Sequence, residues 1–290
     1  MKQYIIFSLL ALLTSASIVA APTQNAYSQG TTGLSAMTMV SFGNGNSTVT
    51  SNLQPIENKT VTYFGENTSG YLVYPNQNQT NEKVKLPAVI LIHENKGLND
   101  YIKESANLLA RNGYVVLAVD LFNGEVVTNN QERSGELTGA IRENPDVAIQ
   151  NMKAAVNYLK SLDNVNPSKI ASLGWCFGGQ QSLQLAINSK DDPLAATIIY
   201  YGRLTNDTQA ISNITSPVLG IFGGKDQSIS VDSVMQFQKA LNDSGIINEI
   251  YIYPNVGHAF ANPSNDNYAP TETADAWKKT LDFLKRNLQS

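Results

Sequence analysis

Two uninterrupted apolar runs, Ala-Val-Ile-Leu-Ile at residues 88–92 and Tyr-Val-Val-Leu-Ala-Val at residues 114–119, constrain the fold more than any other feature of the chain. A strand with one wet face alternates apolar and polar residues. A run with no polar position needs cover on both faces, as in a parallel sheet packed between helices. Further strands are expected at residues 60–64, 70–74, 169–173, 196–200, 218–222 and 249–253. Amphipathic stretches separate them. One at 102–111 stops at Asn112-Gly113, a good C-terminal signal. Another at 145–162 opens on Pro145 and sets Val147, Met152, Val156 and Leu159 on one stripe. Residues 231–242 and 271–288 complete the set. This alternation predicts one α/β domain over residues 58–290. Its expected form is a three-layer sandwich with a mainly parallel sheet of about eight strands and an antiparallel opening hairpin.

Residues 1–21 read as a secretory signal peptide: Lys2 is the positive start, residues 5–13 are apolar, and small or apolar residues run from Ser15 to Ala21. A retained membrane anchor is the alternative, because residues 4–21 are 18 uncharged positions, at the lower bound for a span. The expected location is therefore secreted, periplasmic or at the cell surface, with the membrane touched only through an uncleaved N-terminus. Residues 22–57 are rich in Thr, Ser, Asn and Gly, and such a segment buries too little to offset its ordering entropy, so a flexible polar tail is expected. The 20 basic and 24 acidic residues give a formal charge of −4, which lacks the basic excess of a nucleic-acid binder. With one cysteine and two histidines, neither an intramolecular disulfide nor a Cys- or His-rich metal site is available. No cofactor motif appears.

The chemistry concentrates at Gly174-Trp175-Cys176-Phe177-Gly178-Gly179, between an expected strand and the helical stretch 180–188. A lone cysteine is most often buried and inert. Glycines two before and two after it, in a strand–turn–helix context, instead fit the nucleophile elbow of an α/β-hydrolase fold, a strained turn that lets chain and helix approach closely. The helix N-terminus favours a thiolate there. No Gly-X-Ser-X-Gly exists to compete.

A thiol needs a base, and the base an orienting acid. His258 follows the strand 249–253 and Asp226 follows the strand 218–222, so both stand at carboxyl ends of strands, where α/β sheets place ligands. The order nucleophile, acid, histidine is that of the hydrolase triad. Asp226 also reads as a turn or capping aspartate; its rival Asp232 opens a helix and reads as first-turn charge. In this architecture the loop after residues 88–92 and the residue after the nucleophile supply backbone N–H groups to an oxyanion hole, which assigns Asn95 and Phe177. His93, ending a buried strand, is expected to be a hydrogen-bonded core residue.

Together, His93-Glu94 with Gly97-Leu98-Asn99, the cysteine elbow, Tyr200-Tyr201-Gly202, Asp226 and Gly257-His258-X-Phe260 resemble the dienelactone hydrolase family over roughly residues 72–288. The resemblance implies a hydrolase of esters or lactones, of the carboxymethylenebutenolidase class, with Cys176, Asp226 and His258 as triad. It also implies that Glu94 is the carboxylate that interacts with the thiol and helps switch it to thiolate. One departure stands out. The family holds its substrate's carboxylate with arginines, one of them four residues after the histidine, where this chain has Asn262. Arg133 is the candidate for the other, with Arg203 in reserve. A neutral amide cannot make the bidentate charged contact, so neutral esters are expected to be preferred over compact anionic lactones. Two other readings remain at this point: a thioesterase or acyltransferase with the same triad, and a non-catalytic surface binding protein on the same fold.

Overall fold

The computed structural model describes residues 54–289, apart from residue 67 and residues 77–83. The proposed signal peptide and nearly all of the proposed tail lie outside the described residues. Eight strands form one sheet: β1 (Ile56–Phe64), β2 (Thr68–Pro75), β3 (Leu86–Ile92), β4 (Val115–Val119), β5 (Val165–Trp175), β6 (Ala196–Tyr200), β7 (Val218–Gly223) and β8 (Asn248–Tyr253). Their spatial order is β1-β2-β4-β3-β5-β6-β7-β8. The β1–β2 hairpin is antiparallel and β2 meets β4 antiparallel, while every pairing from β4 to β8 is parallel. The expected α/β-hydrolase architecture is thus observed. β1 starts at Ile56, two residues before the expected domain start.

The helices are α1 (Asp100–Arg111), α2 (Gln131–Glu143), α3 (Pro145–Lys160), α4 (Phe177–Ile187), α5 (Thr208–Ile211), α6 (Val231–Asp243) and α7 (Pro270–Leu288). Alternate residues of the apolar strands serve opposite layers, as strand geometry requires. Val89 and Leu91 pack with α1 and α7, including Ile102, Leu109, Phe283 and Leu284. Ala88, Ile90 and Ile92 pack with α3 through Met152, Ala155, Val156 and Leu159. Further along that face, α6 covers Val218 and Phe222 with Val234, Phe237 and Leu241. Both faces of β3 and β4 are dry, which is why neither carries a polar residue.

Two expectations need correction. Val147 is 55% exposed: the inner face of α3 runs through Ala148, Asn151, Met152, Ala155, Val156 and Leu159, one residue round from the expected start. Helix α2 arises where no element was expected. Its buried positions are Ser134 and Thr138, so it has no apolar stripe to read.

Candidate active site

The candidate site forms at the carboxyl ends of the parallel strands. β5 ends at Trp175, and α4 begins at Phe177. Cys176, the single residue between them, has φ 54° and ψ −114°, the strained conformation of an elbow. The glycines make this turn possible. A Cβ on Gly174 would lie 2.1 Å from the Gly178 carbonyl oxygen, and one on Gly178 would lie 2.2 Å from that of Ile92. Gly202 leaves room for the same helix, since its Cβ would meet the Gln180 amide nitrogen at 2.4 Å. The Cys176 N–H donates to the Tyr200 carbonyl at 3.0 Å, tying the elbow to the end of β6.

The three residues expected to act together are brought together. Cys176 Sγ lies 3.1 Å from His258 Nε2, and His258 Nδ1 lies 2.7 Å from Asp226 Oδ2. The other Asp226 oxygen accepts from the backbone N–H groups of Ser228 and Ile229. Asp226 therefore caps its loop and orients the histidine at once, so its two readings are compatible. Burial opposes the Asp226 carboxylate, but the His258 bond and charge and the two amides outweigh it and hold Asp226 below its ordinary value. Burial likewise opposes the imidazolium of His258. Hydrogen bonds to Asp226 and Cys176, with their charges, push it the other way, up to about 10. Asp232 stands on the exposed first turn of α6 and accepts from Gln236, away from the triad.

His93 is fully buried. Its Nε2 accepts from the Leu121 N–H at 3.0 Å, so Nδ1 carries the proton and donates to the Glu94 carbonyl at 2.6 Å. Burial pushes its pKa down, which suits a neutral core residue. Glu94 and Asn95 follow it at the lip of the cavity, and Ser134 of α2 donates to the Asn95 carbonyl at 2.7 Å. Helix α2 thus braces the loop that carries the expected oxyanion donor. Asn95 and Phe177 both line the cavity beside Cys176, which has a volume of about 410 Å³.

Glu94 is buried, and burial pushes its carboxyl up to about 7. Its oxygens are held by Asn262 Nδ2 and, at a long 3.5 Å, by the Tyr201 hydroxyl. Neither oxygen is hydrogen-bonded to Cys176; the sulfur's partner is His258.

Of the two arginines put forward, one lines the cavity and the other does not. Arg133 is not the clamp, because its guanidinium grips Glu125 through two bonds of 2.7 and 2.8 Å and Glu136 through a third. Arg203 does line the cavity, with Lys96 and with Arg142, which the sequence did not single out. Arg142 donates to Gln180 Oε1 at 3.1 Å and to Thr138 Oγ1 at 3.2 Å, and its guanidinium carbon lies 5.9 Å from the centre of the Phe177 ring. Burial and the charge of Arg203 push its pKa down. Among the described residues, no carboxylate pairs with Arg142 or Arg203. A helix drawn through residues 131–143 would have found Arg142, since Ser134, Thr138 and Arg142 recur every four residues on its inner face.

Comparison with known proteins agrees with this fold. The family model described as "Dienelactone hydrolase family" matches residues 69–288. A protein of Saccharolobus solfataricus named "Putative carboxymethylenebutenolidase" is 30% identical over 246 residues, covering 71% of this chain and 91% of its own. A namesake from Escherichia coli K12 is 28% identical over 235 residues, covering 77% of this chain and 83% of its own. Among solved structures, the dienelactone hydrolase-like promiscuous phosphotriesterase P91 from metagenomic libraries superposes with a TM-score of 0.71 at 23% identity. That superposition covers 81% of this chain and 99% of P91, and it speaks to the fold.

Proposed function

This chain belongs to the dienelactone hydrolase family, and from that premise we propose that it cleaves carboxylic esters or lactones through a Cys176–His258–Asp226 triad. The observation that carries the reading is the unbroken chain Sγ–Nε2 and Nδ1–Oδ2, at 3.1 and 2.7 Å. A half-buried histidine held between a carboxylate and a thiol on a strained elbow at the strand ends is costly to hold and is suited to nucleophilic catalysis.

In this mechanism the Cys176 thiolate attacks the ester carbonyl, and the carbonyl π pair moves onto oxygen. The backbone N–H groups of Asn95 and Phe177 receive that oxyanion. Collapse of the tetrahedral adduct expels the alkoxide, which takes the proton from His258 Nε2, leaving a thioester on Cys176. His258 then removes a proton from water, hydroxide adds to the thioester carbonyl, and the carboxylic acid departs as the thiolate re-forms. Asp226 fixes the ring and its tautomer throughout. In a lactone the alkoxide stays tethered to the acyl group, but the bonds made and broken are the same.

Rapid-quench mass spectrometry with p-nitrophenyl esters tests the proposal. A transient mass increase equal to the acyl group, located on the Cys176 peptide and absent in Cys176→Ala, is expected. Turnover with full rate in Cys176→Ala would overturn it. Export through residues 1–21 is part of the same proposal, and N-terminal sequencing of the protein recovered outside the cytoplasm tests it.

A further inference from the structure

Asn262 occupies the position where the family's clamp would place an arginine, yet its side chain is buried and spoken for. Its Oδ1 accepts from the Ser264 N–H at 2.9 Å and from the Ser264 hydroxyl at 2.7 Å. Those two bonds settle which end of the amide is oxygen and turn Nδ2 toward Glu94, whose Oε2 it engages. Backbone geometry fixes the base of the residue too, since the Asn262 N–H donates to the Ala259 carbonyl at 3.0 Å in the turn that follows His258.

Glu94 is a close neighbour of the sulfur by construction. Ile92 and Gly174 are partners across the parallel β3–β5 pair, and Glu94 and Cys176 each follow two residues later. Both line one cavity, and both lie beside His258 and Tyr201. A carboxyl group so placed could accept the thiol's proton or repel its anion. In the structure neither of its oxygens bonds to the sulfur: one is engaged by Asn262 and the other, at a long 3.5 Å, by the Tyr201 hydroxyl.

We propose that Asn262 is a positioning residue: anchored by Ser264, its amide holds the Glu94 carboxyl off the Cys176 sulfur, so that the free protein already presents the sulfur to His258. This rests on the reading of Cys176 as nucleophile and adds that its pairing with His258 does not wait for substrate. Two neighbouring anionic groups do not ionise independently. Asn262 therefore keeps the thiol and the carboxyl from sharing a proton. The other groups whose charge reaches Glu94 are His258, Lys96, Tyr201 and Tyr101; those about the sulfur are His258, Arg142 and Tyr201. None of them is altered in the variants below.

The chain has one cysteine, so the rate of iodoacetamide alkylation followed by mass spectrometry reads Cys176 alone. Wild type is expected to show only the steps of the coupled Cys176–His258 pair in alkylation rate against pH. In Asn262→Ala the released carboxyl couples to the thiol as well and splits that profile further, adding a step about one pH unit or more away, the signature of a proton shared with the carboxyl. Adding Glu94→Gln to that variant removes the added step, which loss of packing alone would not do. Should Asn262→Ala fail to give folded protein, Asn262→Ser, whose hydroxyl is too short to reach Glu94, is expected to show the same added step. A profile in either variant that superimposes on wild type overturns the proposal, as does an added step that survives Glu94→Gln. Alkylation is readable whether or not Cys176 turns over an ester. An added step in a protein that forms no acyl-enzyme would sink the hydrolase mechanism and leave this inference standing.

Discussion

Replacing Arg142 with glutamine removes one cation from the cavity wall while retaining an amide that can still reach Gln180. Arg142 has only neutral hydrogen-bond partners, Gln180 and Thr138, and it feels the like charge of Arg203. Two guanidiniums that repel each other beside Cys176, with no carboxylate paired to either among the described residues, would be satisfied by an acidic group on a ligand. One charge-assisted hydrogen bond contributes about 1.5–3 kcal/mol, or roughly 10- to 150-fold in binding. The assay compares kcat/KM for p-nitrophenyl butyrate with that for the mono-p-nitrophenyl ester of succinic acid, which adds a carboxylate to a similar acyl chain. In Arg142→Gln the acidic-to-neutral ratio is expected to fall by about 10- to 150-fold, with the neutral ester changed little. Arg203→Gln is expected to act in the same direction but less, because Arg203 is exposed and its charge is screened by solvent and salt. A ratio unmoved in both variants would refute the reasoning. Substrate preference would then follow Asn262 alone, with neutral esters favoured.

Cys176→Ala is expected to abolish hydrolysis of p-nitrophenyl esters while leaving Tm within a few degrees of wild type. Gly178→Ala is expected to destabilise by ~3 kcal/mol or more by denaturant titration, because overpacking against backbone has no side chain to yield; its Cβ would lie 2.2 Å from the Ile92 carbonyl oxygen. Glu94 gives a pH signature. Burial raises its folded carboxyl to about 7 from an ordinary value of 4.5, so the folded state holds a proton that the unfolded chain has released. Stability from this group is full below about pH 4.5 and is lost as pH rises to about 7, on the order of 3 kcal/mol in all. Glu94→Gln should therefore raise Tm relative to wild type at pH 8 and lose that advantage at pH 4; an equal shift at both would count against it.

The strands were legible wherever both faces are dry, since burial on two sides leaves a run with no polar break. The reading failed where polar groups make the contacts. β5 begins at Val165, four residues before the expected start at residue 169, because Leu86 pairs with Val165 across an irregular register. Helix α2 turns Ser134 and Thr138 inward, so hydrophobic periodicity cannot see it, and Arg142 was lost with it. In the site, residue type, chain order and position at strand ends were enough to single out Cys176, Asp226 and His258 as side chains that the fold brings together. Asn262 was visible as a departure, but its partner was not. Which way an amide turns is decided by Ser264 and Glu94, and a string of letters records neither contact.

The elbow's glycines touch main chain rather than side chains: Gly174 the Gly178 carbonyl, Gly178 the carbonyls of Ile92 and His93, and Gly179 that of Tyr200. The sulfur is thus located by the backbones of β3, β5 and β6, much as a survey mark is located by triangulation from fixed stations. Core residues such as Ile90 or Ile198 can be exchanged for others of similar volume, with a change in stability but no change in where the sulfur points. The tolerance of this site to sequence change is accordingly lopsided: wide across the hydrophobic layers, and close to nil at a few positions where a single methyl group would displace a helix.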